Sequence, residues 1–147
     1  VGVNSQPATG ITKLLLPILV WNTLLVLIAG TVVTGSGPHA GDDQAERFNF
    51  DARVVSWIHA DLVIALLVLT ALLFLITRHT GLNLLHKRVG LFLIVALLQG
   101  LIGYVQYFTG LPVVLVALHL LGATLVWVSA WSLIKVADSG FRVRGMN

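Results

Sequence analysis

With 147 residues, 57% of them hydrophobic and only 10% charged, the chain is far from a soluble domain, in which about 25% of residues are charged. Its net charge of +3 does not indicate a nucleic-acid partner: the basic residues form no stripe and sit at the ends of apolar runs, where they report membrane orientation. Cysteine is absent, which excludes disulfides, thiolate metal sites and cysteine nucleophiles in this chain.

Residues 1–13 are polar, contain Pro7 and Gly10, and read as a tail or linker. The start at Val1 rather than Met leads us to expect a piece of a longer protein. Leu14 to Thr34 is the first expected span. It carries no charge, meets the requirement of roughly 20 apolar residues, and places Pro17 in its first turn, where a missing N–H costs least. It is too long for a signal peptide and lacks a small-residue cleavage site. Gly35-Ser36-Gly37-Pro38 should end that helix.

The 35–53 loop is the most polar stretch and holds His39, Asp42, Asp43, Glu46, Arg47, Asp51 and Arg53. Loops of this length often carry function. Further spans are expected over 54–77, 89–109 and 111–137. A basic loop over 78–88 carries His79 and His86, expected to be solvated. A tight turn lies at 110–112, and residues 138–147 form a tail. The expected fold is a single all-α membrane domain, a four-transmembrane-helix bundle over 14–137. Lys13, Arg78, Lys87, Arg88, Lys135, Arg142 and Arg144 fall on one side, Arg47 and Arg53 on the other. The excess of basic residues marks the cytoplasmic side. Both termini and the 78–88 loop are therefore expected in the cytoplasm of a cell-membrane protein, with the 35–53 loop outside and lipid around the bundle.

Two histidines interrupt the apolar runs. His59 lies in Trp57-Ile58-His59-Ala60-Asp61, and His119 in Ala117-Leu118-His119-Leu120. An ionisable residue within a membrane span marks a functional site by default, and imidazole is a standard axial ligand of haem iron. From the expected span ends, His59 is about 7–8 Å deep and His119 about 12 Å deep at 1.5 Å per residue. Both are counted from the outer side, so they lie within about one turn of each other. One haem clamped between His59 and His119, with these as the metal ligands, is the reading that uses both. Hydrogen-bonded structural histidines are the competing one.

Other residues bear on that site. Gly122 and Ala123 share a face with His119, Ser56 lies one turn before His59, and Gly100 and Gly103 stack on the third span. Small residues here make room for a macrocycle or serve ordinary helix packing. Arg53 could pair a haem propionate through its guanidinium fork, or anchor the interface. Asp61 points to a different helix face from His59 and is read mainly as reaching the outer interface. His39 could approach the haem edge. Gln99 and Gln106, seven residues apart, could bond across helices or face the cofactor. Trp57 and Trp131 fit aromatic belts.

The segment Thr31-Val32-Val33-Thr34-Gly35-Ser36-Gly37-Pro38-His39-Ala40-Gly41-Asp42, the helix with Ile58-His59-Ala60-Asp61, the stretch Gln99-Gly100-Leu101-Ile102-Gly103-Tyr104-Val105-Gln106-Tyr107-Phe108-Thr109-Gly110-Leu111-Pro112, and Val116-Ala117-Leu118-His119 resemble the C-terminal half of haem A synthase, in the family's order and over nearly the whole chain. The resemblance implies an eight-helix enzyme of two similar four-helix bundles. In it, the N-terminal bundle holds haem O and an essential glutamate. The C-terminal bundle holds a haem b that passes electrons as a haem O methyl is oxidised to the formyl of haem A, for cytochrome oxidase assembly. His59 and His119 match the haem b ligands. The only glutamate here is Glu46, in the loop, so this chain alone is expected to hold haem b without converting haem O, and to need an N-terminal catalytic half as partner. Its electron donor is not readable. The alternatives are a stand-alone membrane b-type cytochrome carrying electrons, and a scaffold without cofactor.

Overall fold

In a computed structural model, residues 10–37 and 46–142 are described, the side chains of 139–142 excepted. They form four helices: α1 (Gly10–Ser36), α2 (Ala52–His79), α3 (Asn83–Phe108) and α4 (Val113–Arg142). Each is long and apolar enough to cross a membrane. Even the shortest, α3 with 26 residues, reaches about 39 Å against roughly 30 Å of hydrocarbon. The chain thus has the make-up of a multi-pass membrane protein.

Local chemistry sets the helix ends. The Asp51 carboxylate caps α2 by accepting from the backbone N–H groups of Arg53 and Val54 at 2.8 and 3.2 Å, which meets two of the donors a helix start leaves free. The α2–α3 turn uses Gly81 at φ 69°, and the α3–α4 turn uses Gly110 at φ 78° followed by Leu111 at φ 60°. Glycine adopts this left-handed backbone without steric cost. After α1, the Phe48 N–H donates to the Gly35 carbonyl at 3.0 Å and Arg47 donates to the Gly37 carbonyl. The segment 46–50 is thereby held against the end of α1, with a Phe48–Phe50 ring pair on top.

Two helix starts differ from expectation by a turn or more. Helix α1 begins at Gly10, so Pro17 lies in its interior and not in its first turn. Helix α3 begins at Asn83, six residues before the expected 89, which reduces the 78–88 loop to residues 80–82. The reason is packing: Leu82, Leu85 and Val89 are all buried in the core, a helical repeat that continues the apolar stripe back through the basic residues. His86, expected to be solvated, is instead half-buried. Its ring centroid is 4.3 Å from that of Phe74, and its Nδ1 is 3.2 Å from the Thr77 hydroxyl. His79 is exposed, as expected.

Neighbouring helices run antiparallel around a square. Helix α1 adjoins α2 and α4, and α3 adjoins the same two. Among the described residues the diagonal pairs α1/α3 and α2/α4 do not approach. The end where α1 and α3 finish is called the loop end; the other carries Lys13, Arg78, Lys87, Arg88 and Lys135 and is called the basic end.

The packed core lies at the basic end alone. Leu16, Leu19, Val26, Leu66, Leu73, Leu85, Phe92, Val126, Ala130 and Leu133 are buried there. The buried Thr23, Thr70 and Thr77 turn their hydroxyls onto carbonyls of their own helices at 2.7–2.9 Å, which satisfies their donors within the helix. In the loop-end half, no residue of 27–37, 46–65 or 97–121 is fully buried. The bundle therefore buries side chains fully only toward its basic end; the loop-end half, in which none of these residues is fully buried, is called the unfilled half. Protein interiors are normally packed as densely as organic crystals, so the unfilled half is where a bound group would fit.

Candidate functional site

His59 is on α2 and His119 on α4, a diagonal pair whose Cα atoms do not come within 8 Å of each other among the described residues. His59 lies seven residues into α2, about 10 Å along its axis, and His119 six residues into α4, about 9 Å. Their depths agree more closely than the sequence-derived span ends implied, because α2 starts earlier and α4 later than expected. Both are half-buried at the floor of the unfilled half. Leu66 begins the buried stripe one to two turns below His59, and Gly122 is buried one turn below His119.

Each ring rests on a glycine of the helix beside it. A Cβ added at Gly30 of α1 would stand 3.2 Å from His59 Cε1 and 3.6 Å from its Nδ1. A Cβ added at Gly103 of α3 would stand 3.2 Å from His119 Cε1 and 3.7 Å from its Nε2. The two histidine–glycine contacts occur in both antiparallel hairpins of the bundle. A larger residue at either glycine would have to displace its ring.

The surroundings of the two rings differ. His59 Nδ1 is 3.1 Å from the Val26 carbonyl of α1. A carbonyl only accepts, so Nδ1 carries the proton and Nε2 keeps its lone pair. Nearby, the Asn22 amide donates to the Leu62 carbonyl at 3.1 Å and ties the same two helices together. His119 Nδ1 is buried and makes no hydrogen bond of normal geometry among the described residues, although the Gln99 carbonyl lies beside the ring. The side-chain oxygens of Gln99 and Gln106 are also buried and unpartnered. Buried polar atoms are nearly always hydrogen-bonded, so three such atoms on the α3–α4 wall mark a place where a further group is expected.

The other expected site residues fall as follows. Gly122 does not leave space beside His119: the Gln99 side chain fills it, and a Cβ there would overlap the Gln99 amide. Gly100 has nothing within 4 Å of a Cβ position and fronts open space. The Ser56 hydroxyl donates to the Ala52 carbonyl of its own helix at 2.6 Å. Arg53 is exposed at the start of α2, and its guanidinium has no partner among the described residues. Asp61 is exposed on α2. Trp57 and Trp131 are 67% and 45% exposed, as lipid-facing belts require. His39, Asp42 and Asp43 lie outside the described residues, as do 1–9 and 143–147. Gly30 and the Val26 carbonyl were missed from sequence. A glycine thirty residues away gives no local signal, and a backbone acceptor gives none at all.

Among the described residues no three His, Cys, Asp or Glu side chains converge. A bare metal ion would find two nitrogen ligands at most. A haem needs only two from protein, since its macrocycle supplies the other four. The diagonal imidazoles, the glycines behind them, the orphaned polar atoms and the unfilled half all suit that group. Searches against protein-family models, curated proteins and solved structures find no match to this chain.

Proposed function

We propose that this chain is the cofactor-holding half of a haem A synthase, with haem b held between His59 and His119. The observation that carries the reading is the pair of histidines on diagonal helices, at similar depth, in the half of the bundle where no side chain is fully buried. When bound, the haem supplies a one-electron iron couple. The chain's part is to fix two neutral imidazoles, keep water from the floor with the packed basic end, and offer Arg53 at the loop end as a propionate partner. Held by both His59 and His119, the haem would be suited to electron transfer. The spans contain no glutamate, so oxidation of the haem O methyl is assigned to a separate catalytic bundle. The basic end is assigned to the cytoplasm by its excess of Lys and Arg.

The test is haem extraction from cells supplied with haem O. The chain alone is expected to yield haem b and no haem A. Co-produced with a catalytic four-helix half of haem A synthase, it is expected to yield haem A, and replacement of His59 and His119 should abolish that product. Haem b from the chain but no haem A in any pairing would favour the stand-alone cytochrome, which uses the same two ligands.

A further inference from the structure

Resting on the haem reading above, we propose that the two axial imidazoles are unequal: His59 is the fixed ligand and His119 the exchangeable one, so that the α4 side of the site accepts a small neutral nitrogen base in place of the His119 ring.

The asymmetry lies in what holds each ring. His59 Nδ1–H donates to the Val26 carbonyl at 3.1 Å, on a helix that is also bonded to α2 through Asn22 and Leu62. That bond selects the tautomer whose Nε2 is free to ligate, fixes the ring plane and raises the basicity of the ligating nitrogen. Outer-shell bonds of this kind are typically worth 10–100-fold in metal affinity. The glycine behind the ring, Gly30, admits the approach that makes the bond.

His119 lacks that arrangement. Its Nδ1 is buried without a hydrogen bond among the described residues. The Gln99 carbonyl approaches the ring only as a weak acceptor, short of a hydrogen bond of normal geometry, and the Gln99 side chain is committed to the notch at Gly122. That contact selects a tautomer less firmly than the Val26 carbonyl does for His59. The form protonated on Nε2, which cannot bind iron, competes with the one that can, so ligation by His119 carries an ordering cost that His59 does not.

The experiment compares His59→Gly with His119→Gly in the full chain, purified in detergent and titrated with ferric protoporphyrin IX. Haem retention is measured by pyridine haemochrome and spin state by absorption. His119→Gly is expected to keep at least half the haem of the unvaried chain as a high-spin species, and to return to low spin on adding imidazole. His59→Gly is expected to retain about tenfold less, with imidazole restoring little of it. The pair His59→Met and His119→Met, whose sulfur can still ligate iron, covers a glycine variant that does not fold. There, His119→Met should hold haem within about threefold of the unvaried chain and His59→Met about tenfold more weakly. Equal retention in both members of a pair, or the reverse order, overturns the inequality while leaving the haem site intact. Failure of the unvaried chain to take up haem overturns the haem reading itself, and is seen before any variant is compared.

Discussion

Gly30 of α1 carries the imidazole of His59 on α2: a Cβ placed on that glycine would stand within 3.2–3.9 Å of three ring atoms, Cε1, Nδ1 and Nε2. Gly103 of α3 holds His119 of α4 in the same way, at 3.2–3.8 Å from the same three atoms. Each hairpin thus pairs one glycine with one imidazole.

Substituting either glycine tests that arrangement. In Gly30→Ala and Gly103→Ala the ring must give way by a few tenths of an ångström. Haem retention should fall about two- to tenfold in Gly30→Ala, in keeping with loss of ligand orientation, and by no more than about twofold in Gly103→Ala. The haem-free protein should lose no more than about 1–3 kcal/mol of stability from overpacking. Haem titration and thermal unfolding in detergent separate the two effects.

Gln99 and Gly122 make a second contact between α3 and α4, one turn toward the basic end. A methyl group at Gly122 cannot coexist with the Gln99 amide in its present place. Gly122→Ala should therefore destabilise the chain, and Gln99→Ala should relieve most of that loss. The coupling in a double-mutant cycle should be about 1–2 kcal/mol, in the range of contacting residues. Additive effects would show that the side chain moves aside freely.

The division into a packed and an unfilled half makes unequal demands on the apolar residues. Leu73 is fully buried at the basic end, and Leu73→Ala should cost about 2–5 kcal/mol. Leu115, half-buried in the unfilled half, should cost well under that range when cut to alanine in the haem-free chain. Amide exchange of the haem-free protein should be faster in 52–62 and 113–119 than in 66–77 and 126–133, and haem should slow the faster set.

The spans were legible because their apolar runs are long and almost uncharged, a signal that survives any uncertainty in packing. Their ends were less so. The apolar stripe of Leu82, Leu85 and Val89 passes beneath His86, Lys87 and Arg88, and the charges hid the helix that carries them. The histidines announced themselves as polar residues in hydrocarbon, and Gly103 could be suspected from its stacking with Gly100. Its role could not be told from ordinary packing, because a glycine's meaning depends on what the neighbouring helix presents. The same ambiguity left Gly122 open between cofactor space and packing, and Gln99 occupies it. The unfilled half of the bundle could not be read in the sequence at all, since its residues are as apolar as those of the packed half.

Orientation can be measured directly because the chain has no cysteine. Single cysteines at Glu46 and Lys87 give unique labels. A membrane-impermeant maleimide should label Glu46→Cys in intact cells and Lys87→Cys only after lysis. The opposite pattern would reverse the assignment drawn from the basic residues.

The central claim is that His59 and His119 bind one haem iron together. The most direct measurement is the dithionite-reduced minus oxidised absorption spectrum of the detergent-purified chain, repeated with His59→Ala and His119→Ala. The account predicts a sharp low-spin b-type α-band in the unvaried chain and its disappearance in both variants, by loss of haem or conversion to high spin. A low-spin band that survives either substitution, or no haem band after expression with ample haem, would contradict it.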